Sequence, residues 1–218
     1  YLNCPFTWLA AEGFAVASID VRLLHAAQWP AQIDDPRAAI RWLRDNAATH
    51  GLDPARIAIS GGSSGGHVAA VVGTTSAPAG EKTSSRVAAV VDLYGPSDLL
   101  TMPPNLPGPN KTDADLAKAN GARLLGGIVR DRPEKAREAS ALYQVSRDDP
   151  PFLILHGDKD TSVPLDQSQK LHVRLKETGV PSELHVLPGA GHGGKAFDAP
   201  EIRVKVREFL QRSMPAKK

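Results

Sequence analysis

The sequence predicts an α/β fold in which a mainly parallel sheet is flanked by helices. Three observations support this prediction. Short apolar runs alternate along the chain with segments of helical periodicity. One run leads through a glycine-rich turn directly into an apolar helix, and two later runs end in polar or glycine-rich loops. Ligand sites in open α/β sheets lie at the carboxyl ends of the strands, so we expect the chemistry of this protein in that turn and those loops.

The apolar runs and helical segments give a predicted order of elements. Strands are expected at residues 14–20, 56–60, 87–93, 151–156 and 183–187, and helices at residues 36–49, 68–72, 167–178 and 200–212. In the first helix Asp35 is the expected N-cap, Pro36 suits the first helical position and Gly51 closes the end. The run at 151–156 is apolar throughout, as is typical of a strand buried on both faces of a parallel sheet.

Residues 101–148 interrupt this alternation. The stretch from Pro103 to Asn110 is rich in turn residues, and two or three short helices are expected after it. We interpret the segment as a lid or pocket wall inserted into a single domain that spans residues 1–218. The candidate substrate-binding side chains near its start are Leu99, Leu100, Met102 and Leu106.

The composition argues against several classes of function. A net charge of +2 favours neither a nucleic-acid partner nor a membrane surface, and no run of about 20 apolar residues could span a bilayer. The single cysteine, Cys4, cannot form an internal disulfide, and no spacing of residues indicates a metal or a cofactor. No signal peptide is visible, so we expect a soluble protein, cytoplasmic or secreted; its oligomeric state stays open.

The turn from Ser60 to His67 is the most informative motif. A turn of this kind between a strand and a helix lifts one serine hydroxyl above the sheet and points the helix N-terminus toward it. Two registers of Gly-x-Ser-x-Gly fit, one centred on Ser63 and the other on Ser64. We favour Ser63 as the nucleophile, because the backbone N–H of Ser64 can then stabilise an oxyanion.

A serine hydroxyl is a weak nucleophile without an adjacent base, and a histidine base works best when a carboxylate orients it. His192 stands among glycines with little to pack against, which indicates a general base rather than a structural residue. Two carboxylates follow the run at 151–156. We favour Asp160 as the orienting acid, since Asp158 is close enough to the strand to cap its own loop.

The other histidines lack a pattern of catalytic partners. His67 lies on the helix after the turn and is expected to pack or to cap. His156 ends a buried strand and is expected to brace the loop that carries the acid.

Three motifs together resemble the α/β-hydrolase superfamily, and within it the small microbial carboxylesterases (acetyl esterases, feruloyl-esterase-like and hormone-sensitive-lipase-like enzymes). They are Gly-Gly-Ser-Ser-Gly-Gly-His at 61–67, His-Gly-Asp-Lys-Asp-Thr-Ser-Val-Pro at 156–164 and Gly-Ala-Gly-His-Gly at 189–193. The resemblance implies the α/β-hydrolase fold and marks Ser63, Asp160 and His192 as a catalytic triad. The order Ser, Asp, His is the order that this fold uses.

One difference from the family lies upstream of the turn. These enzymes usually have a central strand that ends in His-Gly-Gly and completes the oxyanion hole, and no such motif precedes Ser63 here. The resemblance therefore implies a member that is N-terminally truncated relative to the family. We expect the strand at 14–20 to pair directly with 56–60, or a second chain to fill the gap. Loss of one oxyanion donor lowers turnover by about 10²–10³-fold.

Residues and resemblance together predict a serine carboxylesterase that hydrolyses short-chain acyl esters through an acyl-enzyme intermediate. No cofactor is expected, and the partner is a small-molecule ester. Two alternatives remain open. One is a serine peptidase of the prolyl-oligopeptidase type, and the other is a catalytically impaired remnant that acts as a binding protein.

Overall fold

The computed structural model describes residues 6–215, so the expectation about Cys4 lies outside the described residues. The elements follow one another along the chain in an alternating order. The strands are β1 (Ala58–Gly62), β2 (Ala89–Leu93), β3 (Phe152–Gly157) and β4 (Ser182–Leu187). The helices are α1 (Ala31–Asp45), α2 (Ser64–Thr74), α3 (Asp113–Leu116), α4 (Asn120–Leu125), α5 (Pro133–Glu138), α6 (Ala141–Gln144), α7 (Asp166–Thr178) and α8 (Pro200–Ser213). Short 3₁₀ turns lie at Thr7–Glu12, Val129–Asp131 and Lys195–Asp198.

Within residues 6–215 the sheet has four strands in the order β1-β2-β3-β4, and every neighbouring pair is parallel. Parallel neighbours need a crossover connection, which α2 supplies between β1 and β2 and α7 supplies between β3 and β4. All four carboxyl ends therefore meet at one edge of the sheet. Ser63 follows β1 and Tyr94 follows β2, while Asp160 and His192 lie in the loops after β3 and β4.

Alternate residues of the central strands supply two separate cores, because successive side chains of a strand point to opposite faces. Val90 and Ile154 pack with α2 and α7 on one face. Val91 and Leu155 pack with α8 on the other face, where Phe209 is buried. With both faces covered, β2 and β3 are buried along their whole length.

The sequence-based prediction is confirmed for four of the strands and two of the long helices. β3 and β4 lie within one residue of the expected ranges, as do α7 and α8. β1 lies two residues later than expected and extends through Gly62, so the glycine pair before Ser63 is still strand. β2 begins at Ala89 rather than at residue 87.

The predicted strand at residues 14–20 is wrong, and so is its direct pairing with residues 56–60. The segment has no regular secondary structure, and Val16 and Ile19 are exposed. β-propensity is realised only where a partner strand is available. The chain is held instead against α1, since Asp35 Oδ2 accepts a hydrogen bond from Arg22 N at 2.8 Å and Gln32 Nε2 donates to Arg22 O at 3.1 Å.

The expected start and end of the first helix are also wrong. α1 begins at Ala31, five residues before Pro36, because Gln32 and Ile33 are buried and the Gln32 side chain also donates to Ala27 O at 2.9 Å. Asp35 is thus inside the helix rather than its N-cap. The helix ends at Asp45, well before Gly51, which adopts a left-handed φ of 64° in the following turn.

Residues 101–148 contain four short α-helices, α3 to α6, where two or three were expected. Ala139, just before α6, accepts a hydrogen bond from His67 of α2, so the segment is tied to the helix that follows the nucleophile. None of the helices in residues 6–215 is both long and apolar enough to cross a membrane.

Candidate active site

The turn between β1 and α2 places Ser63 in a conformation that few side chains adopt. Ser63 has φ 56° and ψ −119° and directly precedes the first residue of α2. The turn is possible because glycines surround it: a β-carbon on Gly61 would lie 2.3 Å from the backbone of Gly65. The Ser63 N–H donates a hydrogen bond to Leu93 O at 2.9 Å, which fixes Ser63 to the end of β2.

The three residues that sequence analysis selected lie in a continuous chain of hydrogen bonds. His192 Nε2 is 2.8 Å from Ser63 Oγ, and His192 Nδ1 is 2.7 Å from Asp160 Oδ2. The residues are separated by up to 129 positions in sequence and are joined only by the fold. The arrangement allows proton transfer from the hydroxyl to the imidazole, with the carboxylate oriented toward the opposite ring nitrogen.

The loop after β3 keeps Asp160 ionised although its side chain is fully buried. Burial disfavours the charge, but the N–H groups of Val163 and Ser162 donate to Oδ1 at 2.9 and 2.8 Å, and His192 binds the other oxygen. These contacts outweigh burial and hold the pKa of Asp160 below its ordinary value. The carboxylate is therefore available to stabilise a protonated imidazole.

Asp158 and Ser64, the alternatives considered for acid and nucleophile, occupy different positions. Asp158 Oδ1 accepts a hydrogen bond from Gly189 N at 2.6 Å, so this carboxylate fastens the histidine loop to the end of β3. Ser64 is the first residue of α2. The first N–H groups of an α-helix have no partner within the helix, so the Ser64 N–H makes no intrahelical hydrogen bond.

The expected structural roles of His156 and His67 are confirmed. His156 Nε2 lies 2.8 Å from Val163 O and Nδ1 lies 2.7 Å from Ser168 Oγ, so the ring braces the acid loop. His67 Nε2 lies 2.6 Å from Ala139 O. Burial lowers the pKa of both histidines, and both are neutral at neutral pH.

A cavity of about 1000 Å³ opens beside Ser63. Its lining includes Leu99, Leu100 and Met102, three of the candidate substrate-binding residues, together with Ile19 and Leu24 of the N-terminal segment. The expectation for Leu106 needs correction. Asn105 is the last residue of that stretch on the wall; it has a left-handed φ of 50°, and after it Leu106 lies outside the lining.

Residues 3–175 of the sequence match the family described as BD-FAE. The chain belongs to that family. Its parallel sheet flanked by helices is the α/β-hydrolase fold that the sequence predicted.

Several named proteins and solved structures are similar to this chain over most of its length. Esterase LipC of Mycobacterium tuberculosis is 35% identical over 207 residues, covering 87% of this chain and 47% of its own length. The chain spans about half the length of the curated relatives it matches first. A truncated carbohydrate esterase from gut microbiota is 34% identical with a TM-score of 0.80, covering 91% of this chain and 74% of that chain. An acetyl ester-xyloside bifunctional hydrolase from Caldicellulosiruptor lactoaceticus is 28% identical with a TM-score of 0.77, covering 94% and 74%.

Sequence analysis of this BD-FAE member missed two residues at the end of β2. Asp92 is 1% exposed, and Tyr94 packs its ring against His192. The available signal was a charged residue inside the apolar run at 87–93, followed by Tyr94-Gly95. Among residues 6–215 no group of three or more His, Cys, Asp or Glu side chains is placed to hold a metal ion.

Proposed function

We propose that this chain is a serine carboxylesterase that hydrolyses short-chain acyl esters. The observation that carries the proposal is the unbroken hydrogen-bond chain from Ser63 Oγ through His192 to Asp160, with distances of 2.8 and 2.7 Å. Similarity to LipC and to a carbohydrate esterase supports the same activity.

The proposed reaction has two halves. In the first, Ser63 Oγ attacks the ester carbonyl while His192 Nε2 takes the hydroxyl proton, and the imidazolium then gives that proton to the departing alcohol. In the second, His192 takes a proton from water, which attacks the acyl-serine; the imidazolium then returns that proton to Ser63 Oγ as the acid leaves. Asp160 stays ionised throughout and stabilises the imidazolium through Nδ1.

The start of α2 supplies the proposed oxyanion site. As the carbonyl becomes tetrahedral its oxygen gains negative charge, and the Ser64 N–H at the helix N-terminus is the donor we assign to it. Donors that are fixed before the reaction need no reorganisation when the charge develops.

The cavity beside Ser63 supports an ester substrate with an apolar portion. Leu99, Leu100 and Met102 are the proposed substrate-binding residues, and residues 101–148 the proposed lid or wall. The preference for short acyl chains is supported by similarity to a hydrolase described as acting on an acetyl ester.

Hydrolysis of p-nitrophenyl acetate, butyrate and octanoate by the purified chain tests the proposal. We expect the shorter esters to be preferred, Ser63→Ala to abolish turnover and the matched Ser64→Ala variant to keep it, because only the backbone of Ser64 takes part. Loss of turnover in Ser64→Ala alone would move the nucleophile by one residue. A folded wild-type chain without turnover would contradict the proposal and favour the impaired remnant, and turnover of aminoacyl p-nitroanilides in place of esters would favour the peptidase.

A further inference from the structure

Tyr94 is the residue through which β2 contacts the histidine loop. Its ring lies edge-on to the His192 imidazole, with ring centroids 4.8 Å apart and planes at 65°. We propose that Tyr94 is a positioning residue that holds the His192 imidazole in line with Ser63. The inference rests on the proposed function, since it assigns a role to Tyr94 through the general base rather than through contact with substrate.

Two glycines mark the space that the tyrosine occupies. A β-carbon on Gly62, next to the nucleophile, would lie 2.9 Å from the Tyr94 hydroxyl oxygen, and one on Gly193, next to His192, would lie 3.0 Å from the same atom. The ring carbon Cζ lies 3.2 and 3.4 Å from the same two β-carbons, so the ring edge as well as the hydroxyl fills the gap between β1 and the histidine loop. A single side chain separates the nucleophile's strand from the base and sets the distance between them.

The backbone holds Tyr94 in this place against its conformational preference. Its φ is 44°, which is uncommon for a bulky residue. The Tyr94 N–H donates to Leu155 O of β3 at 2.8 Å, and the following N–H, of Gly95, donates to Asp92 Oδ1 at 2.9 Å. The ring also packs against Phe197, with centroids 4.6 Å apart. Bonds on both sides of the residue thus fix the direction of its side chain.

His192 needs such a support, because its own loop supplies little. Its neighbours are glycines, and Gly193 and Gly194 have left-handed φ values of 84° and 97°. The hydrogen bonds at the two ring nitrogens fix the line that runs through the imidazole from Ser63 to Asp160, but they leave the ring free to tilt about that line. The Tyr94 ring contacts the imidazole and limits this movement. A displacement of a catalytic group by about 1 Å costs roughly 10²-fold in rate.

Three variants separate the ring from the backbone. Tyr94→Asn removes the ring with a residue that tolerates left-handed φ, so backbone strain is not the variable. Tyr94→Phe keeps the ring and removes the hydroxyl. Trp42→Asn is the control: it removes an aromatic ring from a 55% exposed residue of α1 that lies outside both the cavity lining and residues 101–148. Should Tyr94→Asn not fold, Tyr94→Leu, which fills volume without a flat ring, takes its place.

Steady-state kinetics on the preferred p-nitrophenyl ester and proton NMR are the two readouts. We expect Tyr94→Asn to lower kcat by about 10–100-fold with KM within about threefold, and Tyr94→Phe and Trp42→Asn to stay within about threefold in both. The strongly deshielded proton of the His192–Asp160 hydrogen bond should broaden in Tyr94→Asn and persist in Tyr94→Phe.

The outcomes distinguish this inference from the proposed function. An active wild type with an inactive Ser63→Ala, beside a Tyr94→Asn variant with unchanged kcat and an unchanged proton resonance, would overturn the positioning role alone. The positioning role would also be overturned if Tyr94→Asn changed only KM, or if Tyr94→Phe lost as much kcat as Tyr94→Asn. The NMR readout needs no turnover, so it decides the role of Tyr94 even where the esterase assay gives none.

Discussion

Asp92 lies beneath the turn that carries the nucleophile, and its replacement tests how well this region excludes water. The carboxyl is 1% exposed; Oδ1 accepts one hydrogen bond from Gly95 N, and Oδ2 has no partner among the described residues. Burial raises the pKa of Asp92 from 3.8 to about 7, and the single bond from Gly95 opposes it only in part. The perturbation is Asp92→Asn, which keeps the shape and cannot ionise.

The sign of the effect follows from the direction of the shift. Because the pKa is higher in the folded state than in the unfolded state, the folded protein binds this proton more tightly. The resulting stability is fully present below the unfolded pKa of 3.8 and is lost as pH rises through about 7. Between about pH 5 and about pH 8 the loss amounts to roughly 3 kcal/mol.

The assay is urea unfolding of wild type and Asp92→Asn at these two pH values. We expect the difference in unfolding free energy, variant minus wild type, to rise by about 3 kcal/mol from the lower pH to the higher one. Comparing the two proteins at each pH cancels the titration of all other groups. Asp160→Asn is a control, because the pKa of Asp160 is shifted in the opposite direction. The stability that a lowered pKa contributes is lost only at more acidic pH, so for this variant the difference should stay flat between the two pH values.

A difference that stays flat across this range would refute the reasoning, because it would show an Asp92 that is ionised in the folded protein. The carboxyl carbon resonance of Asp92 gives the same answer without unfolding. Its titration midpoint should lie near neutrality in the folded chain, and a midpoint near 3.8 would agree with the flat result.

Two further replacements follow from the contacts at the site. Asp160→Asn should lower kcat by about 10⁴-fold in the p-nitrophenyl ester assay, because an amide neither selects the required His192 tautomer nor stabilises the imidazolium; a loss below about tenfold would mean that the carboxylate is not needed. Gly157→Ala should lower both the midpoint of thermal unfolding and kcat, since its β-carbon would lie 2.2 Å from Ala190 O and push the histidine loop away from β3. If Gly157→Ala matched wild type in both the thermal midpoint and kcat, the histidine loop could move to accommodate the β-carbon at no cost.

The parts of the fold that the sequence predicted are those that depend on local pattern. β3 is apolar at nearly every position, and that is typical of a strand covered on both faces. The segment at 14–20 has a comparable β-propensity. Its conformation depends on tertiary contacts, because Arg22 binds α1 and the segment does not pair with β1. The true start of α1 was hidden for the same reason, because the Gln32 side chain anchors it to backbone distant in sequence.

The residues of the candidate site also differ in whether a local sequence pattern reveals them. Ser63, Asp160 and His192 could be selected because each stands in a short motif at the carboxyl end of a predicted strand. Tyr94 could not, because its contact with His192 joins residues that are far apart in the chain. Asp92 carried a signal that went unused: a charge within an apolar run is either paired or shifted in pKa, and both outcomes mark a special site.

Among residues 6–215, two of the four non-glycine residues with positive φ lie at the ends of the neighbouring strands β1 and β2, beside His192. Ser63 and Tyr94 both have positive φ, and they are linked because the Ser63 N–H donates to Leu93 O, one residue before Tyr94. A left-handed conformation costs a side-chain-bearing residue about 1–2 kcal/mol, whereas glycine normally costs a regular position about 0.5–1 kcal/mol relative to alanine.

Because of this strain, we expect the usual order of glycine and alanine to reverse at residue 94. Tyr94→Gly should unfold with a free energy equal to that of Tyr94→Ala or up to about 1 kcal/mol higher, because both lose the ring and only alanine retains the strain. Val173 is half-exposed on α7. There the alanine variant should have a free energy of unfolding about 1 kcal/mol higher than the glycine variant. An alanine advantage at both positions would mean that Tyr94 is unstrained, and the direction of its ring would then need another cause.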